Sequence, residues 1–254
     1  MEFALVLPFL VTVILGVLQL TQLQQASLLT QYAAYNAARA GIVWNGSVER
    51  MRDAALLSVL PATGRTDSLE LLAGTADRQR AMDGAFLQLP WSPESPDAAN
   101  GVPLRGLVRV DTLNPRHGPE LEGLARRPGE GSWQELDFDG VGTRDDGVWA
   151  SRDTALRAAT VLTVRVRHWY EMRVPFANGV VFWAWRWVRT LRPERDDGVG
   201  YPVLTPSEGT VLDGLASGKL NVGGAPGRLR FFIPLVGTYS LRMQSNVYRK
   251  WVMH

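Results

Sequence analysis

FALVLPFLVTVILGVLQL, residues 3–20, runs without a break into TQLQQASLLTQYAAYNAARAG, residues 21–41. Between Phe3 and Ala38 there is no charged side chain. The first part holds only Thr12 and Gln19 as polar residues, and about 20 apolar residues suffice to cross a hydrocarbon core. A helix is the single-segment way to satisfy backbone groups there. The second part turns polar but contains no helix breaker, which predicts one helix from about Glu2 to Val43 whose apolar part, about 3–20, crosses a membrane. A cleaved signal peptide would want a basic start and a small-x-small site, and no Lys or Arg precedes the apolar run. A core helix of a soluble domain would not be apolar on every side for 18 residues. The simplest competitor is an ordinary single-pass anchor.

Details at both ends go beyond an ordinary anchor. Glu2 stands directly before the apolar run, where a carboxylate is costly unless paired or held at the interface. Pro8 removes a helix hydrogen bond and predicts a kink or a locally melted turn. Ala34, Ala37, Ala38 and Gly41 fall at i, i+3, i+4 and i+7, a stripe of small residues suited to close helix–helix approach. Tyr32 and Tyr35 flank it.

With these features the segment closely resembles the N-terminal helix of TadE-like pseudopilins, minor pilin-like subunits of tight-adherence machines, also called type IVc pili. The likeness is carried by the Glu2–Phe3 pair, the LVLP element at residues 5–8 and the NAARAG element at residues 36–41. It implies docking of the helix among other pilin-like subunits in the inner membrane. Glu2 would then meet the N-terminal amine of a neighbour, two opposite charges attracting strongly in a low dielectric. Phe3, Pro8 and the small stripe would complete the docking surface. In the family a basic leader precedes the Glu and is removed by a prepilin peptidase. Here Glu2 is the second residue, so that partner is expected where a leader precedes the visible start.

The near-neutral net charge of +2 averages unlike pieces. Residues 44–149 carry 11 basic and 17 acidic side chains, and residues 150–254 carry 15 and 7. With no cysteine, a disulfide scaffold, a thiol nucleophile and a Cys-ligated metal are excluded. After the Asn45-Gly46-Ser47 break, Ser47 is placed to cap a helix ended by Pro61, and residues 69–87 predict a third helical stretch interrupted by Gly74 and Gly84. Residues 90–104, 114–149 and 191–228 read as loop-rich insertions in a globular domain spanning 44–254. A short strand is expected near 106–113.

The clearest strand is VLTVRVRHWYEMRV, residues 161–174. Its period-2 alternation puts Leu162, Val164, Val166, His168, Tyr170, Met172 and Val174 on an inner face, with Arg165, Arg167 and Arg173 on a cationic outer face. His168 reads as a hydrogen-bonded core residue. Residues 180–189, VVFWAWRWVR, also alternate, which predicts a strand with Trp183, Trp185 and Trp187 on one side. The tryptophan run reads either as a sheet face packed on the helical layer or against a partner subunit, which is preferred, or as an interfacial element touching lipid headgroups, and the three arginines are candidate contacts for the same partner or lipid. Two further strand-like runs, 229–235 and 238–247, meet near Gly237. The order of elements implies an α+β fold with a small antiparallel sheet.

The one metal-like cluster is Asp137, Asp139 and Asp145 in DFDGVGTRDDG, which resembles the start of a calcium loop. Val141 and Val148 stand where further oxygen ligands belong, so an acidic turn is the preferred reading and no cofactor is expected. Enzyme motifs are missing from the sequence: there is no Gly-x-Ser-x-Gly, no His-Glu-x-x-His and no phosphate loop. The expectation is a structural subunit of the bacterial cell envelope that is not an enzyme and does not bind nucleic acid. Its C-terminal domain would lie in the periplasm or be assembled into a pilus-like structure. The alternative is a permanently membrane-anchored periplasmic binding module unrelated to pili.

Overall fold

The computed structural model describes residues 2–89, 106–115, 135–136, 158–191, 206–222, 227–244 and 246–248. Helix α1, Glu2–Val43, is unbroken over 42 residues, about 63 Å at 1.5 Å per residue. Two helices follow, α2 (Val48–Thr63) and α3 (Leu69–Leu87). Strands β1 (Val108–Asn114), β3 (Val161–Glu171) and β4 (Phe232–Arg242) form an antiparallel sheet in the order β1-β3-β4. Its register pairs Val110 with Val166 and Val166 with Gly237. Short strands β2 (Glu135–Leu136) and β5 (Val247–Tyr248) form a separate two-stranded ladder. Helices α4 (Ala177–Leu191) and α5 (Pro206–Ala216) lie between β3 and β4 in the chain. The α+β expectation holds.

Helix α1 has two halves with opposite surroundings. From Val6 to Leu20 its large apolar side chains are largely exposed, among them Phe9, Val11, Ile14 and Leu18. Pro8 is carried inside the helix, where the expected melted turn does not form. The hydroxyls of Thr12 and Thr21 donate back to the carbonyls of Pro8 and Val17, so neither is left unsatisfied in an apolar setting. The outer half packs on α2, β3 and β4. Ala26, Thr30, Ala33, Ala34, Ala37 and Ala38 are buried there, a single helical stripe.

Two glycines allow that approach. A Cβ at Gly237 would lie 2.6 Å from the Thr30 carbonyl oxygen and 2.8 Å from Gln31 Cα. A Cβ at Gly41 would lie 2.5 Å from Leu162 Cδ2 and 2.7 Å from Met51 Sδ. Gly237 is therefore not a boundary between two strands. The runs 229–235 and 238–247 contribute to one strand, β4, and the glycine marks where the helix backbone meets it. Ring contacts extend the seam, with Tyr35 edge-on to Tyr239 at 5.1 Å. From the NAARAG element, Asn36 donates to the Ser58 hydroxyl at 2.8 Å.

Three other expectations change. Residues 180–189 form a helix, not a strand, because the buried Ala177 and Phe182 and the half-buried Val181 and Trp185 recur with helical spacing. The insertion at 191–228 contains α5, which contributes Val211, Leu212, Leu215 and Ala216 to the core. Helix α2 continues through Pro61 to Thr63 instead of ending before it. Gly64 closes it by donating its N–H to the Leu60 carbonyl at 3.2 Å.

If Gly237 sets the distance between helix and sheet, Gly237→Val must push the helix backbone away. It should destabilise the domain by about 2–3 kcal/mol or more, read as a drop in thermal midpoint in detergent. Gly74→Ala and Gly84→Ala, where a Cβ meets nothing within 4 Å, should leave stability unchanged or raise it by about 0.5–1 kcal/mol.

Candidate functional site: the anchor helix and the head it carries

Among the described side chains of the inner half of α1 one residue is buried, and it is polar. Gln19 is fully enclosed, and its Oε1 accepts the Val174 N–H at 3.0 Å. Val174 lies in the connection from β3 to α4, so this bond ties the end of the apolar run to the base of the head. Its signal in the sequence was a lone amide near the end of an apolar stretch. That pattern marks either a lipid-facing defect or a contact, and only the fold decides between them.

The small-residue stripe is used within the chain. Ala34, Ala37, Ala38 and Gly41 are buried against α2 and the sheet, with Met51, Ala55, Leu162 and Val164 around them. The element that meets this stripe in the structure is the chain's own head. Glu2 and Phe3 open α1, and their side chains lie outside the described part of the structure, as do Asp137, Asp139 and Asp145. Pro8 remains exposed on the free half.

The cationic face of β3 is likewise internal. Arg167 is buried and makes a two-pronged ion pair with Glu208 of α5, at 2.7 and 3.0 Å, while its guanidinium lies over the Trp169 ring at 4.9 Å. Asp111 bridges Arg109 at 2.6 Å and Arg165 at 3.0 Å. Register makes this necessary: Arg109 stands opposite Arg167 across the β1–β3 pair, and like charges in that position repel. Burial pulls the Arg167 guanidinium below its usual range, Glu208 works against that, and Arg109 adds to the lowering. Arg173 is exposed and donates to the Thr63 carbonyl. Arg165 and Arg167 thus hold the head together and do not present a charged surface.

The tryptophans divide once their segment is helical. Trp183 and Trp187, four residues apart, share an exposed face. Trp185 lies on the other side, half-buried against Phe182 and covered by the Arg189 guanidinium at 5.5 Å. His168 faces α1 from the middle of the sheet and is fully buried. Neither ring nitrogen has a hydrogen-bond partner among the described residues, contrary to the expected hydrogen-bonded core histidine. A cleft of about 300 Å³ between α3 and β3 is lined by Thr75, Gln79, Met82, Trp169 and Tyr170. Among the described residues no cluster of three or more His, Asp or Glu side chains is placed to hold a metal ion.

Among the described residues one helix is long and apolar enough to cross a bilayer, which suits association with a membrane, and a small α+β head is built on that helix's outer half. Residues 1–39 match the family model described as TadE-like protein, so the resemblance read from the sequence is borne out over most of α1. No curated protein and no solved structure matches the chain.

Two predictions follow from the buried groups. Glu208→Ala leaves Arg167 in the interior without this carboxylate and should cost about 3–5 kcal/mol. The double variant Arg167→Met, Glu208→Leu should recover most of that loss in chemical denaturation. Burial also holds the His168 imidazole down to about 4. The unfolded chain, with an ordinary value near 6.5, binds this proton first as pH falls. Stability should therefore be unaffected above about pH 6.5 and decline by up to about 3 kcal/mol on going down to pH 4. His168→Leu should remove that part of the pH slope.

Proposed function

We propose that this protein is a minor pilin-like subunit of a type IVc, Tad-like pilus or a related envelope-spanning secretion or contact machine, and that it works by assembly and not by catalysis. The inner half of α1 stores the subunit in the inner membrane and docks against the helices of other pilin-like subunits, with the head in the periplasm. The observation that carries this reading is the contrast within α1. Its outer half is consumed by the head, while the inner half stays apolar and exposed around its circumference. A helix of that kind needs a bilayer or partner helices to cover it. The family match lies over the same helix. Glu2 is the docking charge in this reading, poised to meet a neighbour's N-terminal amine where each charge alone would be costly. Where a leader precedes the visible start, a prepilin peptidase is a further partner.

The test separates docking from folding. Glu2→Ala should abolish co-purification of other pilin-like subunits from detergent-solubilised membranes, yet leave the protein membrane-anchored with an unchanged thermal midpoint. Ala38→Leu, inside the head, should lower the midpoint. Retention of those subunits by Glu2→Ala at wild-type yield would contradict the proposal and favour a permanently anchored binding module.

A further inference from the structure

Helix α4 carries a second apolar surface that the described part of the head does not cover. Phe176, just before its first turn, and Val180, Trp183, Trp187 and Leu191 recur at intervals of four, three, four and four residues. Their exposures are 80, 64, 52, 66 and 61 %. That spacing places all five on one stripe of a helix. The opposite side is fixed to the head: Phe182 is fully buried beside Phe231 at 5.5 Å, and Arg186 pairs with Asp213 of α5 at 2.5 Å. The stripe is therefore oriented by packing.

We infer that this stripe rests in the headgroup region of the same bilayer that α1 enters, so that the subunit meets the membrane through a span and an adjoining interfacial helix. Position supports this occupant. Val174, two residues before Phe176, is bonded to Gln19 at the end of the apolar run, and α4 contacts α1. The exposed apolar surface of the span thus adjoins the stripe at the level where α1 leaves the hydrocarbon. Composition supports it as well. Helix α4 contains no acidic residue, ends with Arg189 in its last turn, and presents two indoles, the side chains that favour the boundary between acyl chains and headgroups. Membrane contact at two places would fix the height and tilt of the head, whereas a lone span can tilt and slide as one body with it.

The inference rests on α1 crossing the membrane but not on its pilus role, and the test distinguishes the two. The chain has no cysteine, so single cysteines carry a fluorescent label without background. Full-length protein in phosphatidylglycerol-containing vesicles would be labelled at Val180→Cys, at Ile14→Cys in the span, and at Val43→Cys at the far end of α1. Nitroxide-bearing lipids should quench the labels at 180 and 14 and leave the label at 43 unaffected, and aqueous iodide should quench the label at 43 alone. Iodide quenching at 180 with lipid quenching at 14 would overturn this inference while sparing the span. Protection at 180 from both quenchers would mean that protein covers the stripe, and would overturn it too. Absence of lipid quenching at 14 would remove the span, and the inference with it.

Discussion

The structure depends on a close contact between a helix backbone and a strand. At Gly237 the sheet comes so near to Thr30 and Gln31 of α1 that no side chain fits between them. Around this point the alanines of the outer half lie flat against β3, β4 and α2. Small residues lose little side-chain entropy on burial and let the backbones approach until dispersion contacts are dense. The head is thus assembled on the outer half of α1, with no linker between anchor and domain.

That construction divides the work along one helix. The outer half supplies core, while the inner half supplies an apolar surface that the described residues leave uncovered. Gln19 marks the division: its amide is enclosed by the base of the head, and the residues before it face outward. Because the helix is common to both parts, a force or contact on the inner half reaches the sheet without a hinge. A subunit that is stored in a membrane and then handed to an assembly benefits from such a connection, since its head orientation is set by its helix.

Much of this was legible in the residues, and the failures have physical causes. The full length of α1, the limits of α3 and the inner face of β3 followed from periodicity and breakers. The small stripe announced close approach, but small residues fit a partner's backbone and the chain's own equally well, so sequence could not name the neighbour. In residues 180–189 nearly every position is apolar or aromatic, and such a run satisfies a period of two and a period of 3.6 alike. Gly237 looked like a break because glycine marks turns more often than it marks close contacts. The arginines of β3 looked exposed because their counter-charges, Asp111 and Glu208, sit on distant segments, one of them a helix within a stretch read as loop.

The central claim, that the outer half of α1 is part of the head's cooperative core, is tested most directly by native-state hydrogen exchange of the full chain in nanodiscs. Amides over residues 26–41 should open together with those of β3 and β4, sharing one opening free energy and one denaturant dependence. If residues 26–41 exchange independently of the sheet, at the rate of a solvent-exposed helix, the head is not built on the anchor and the account is wrong.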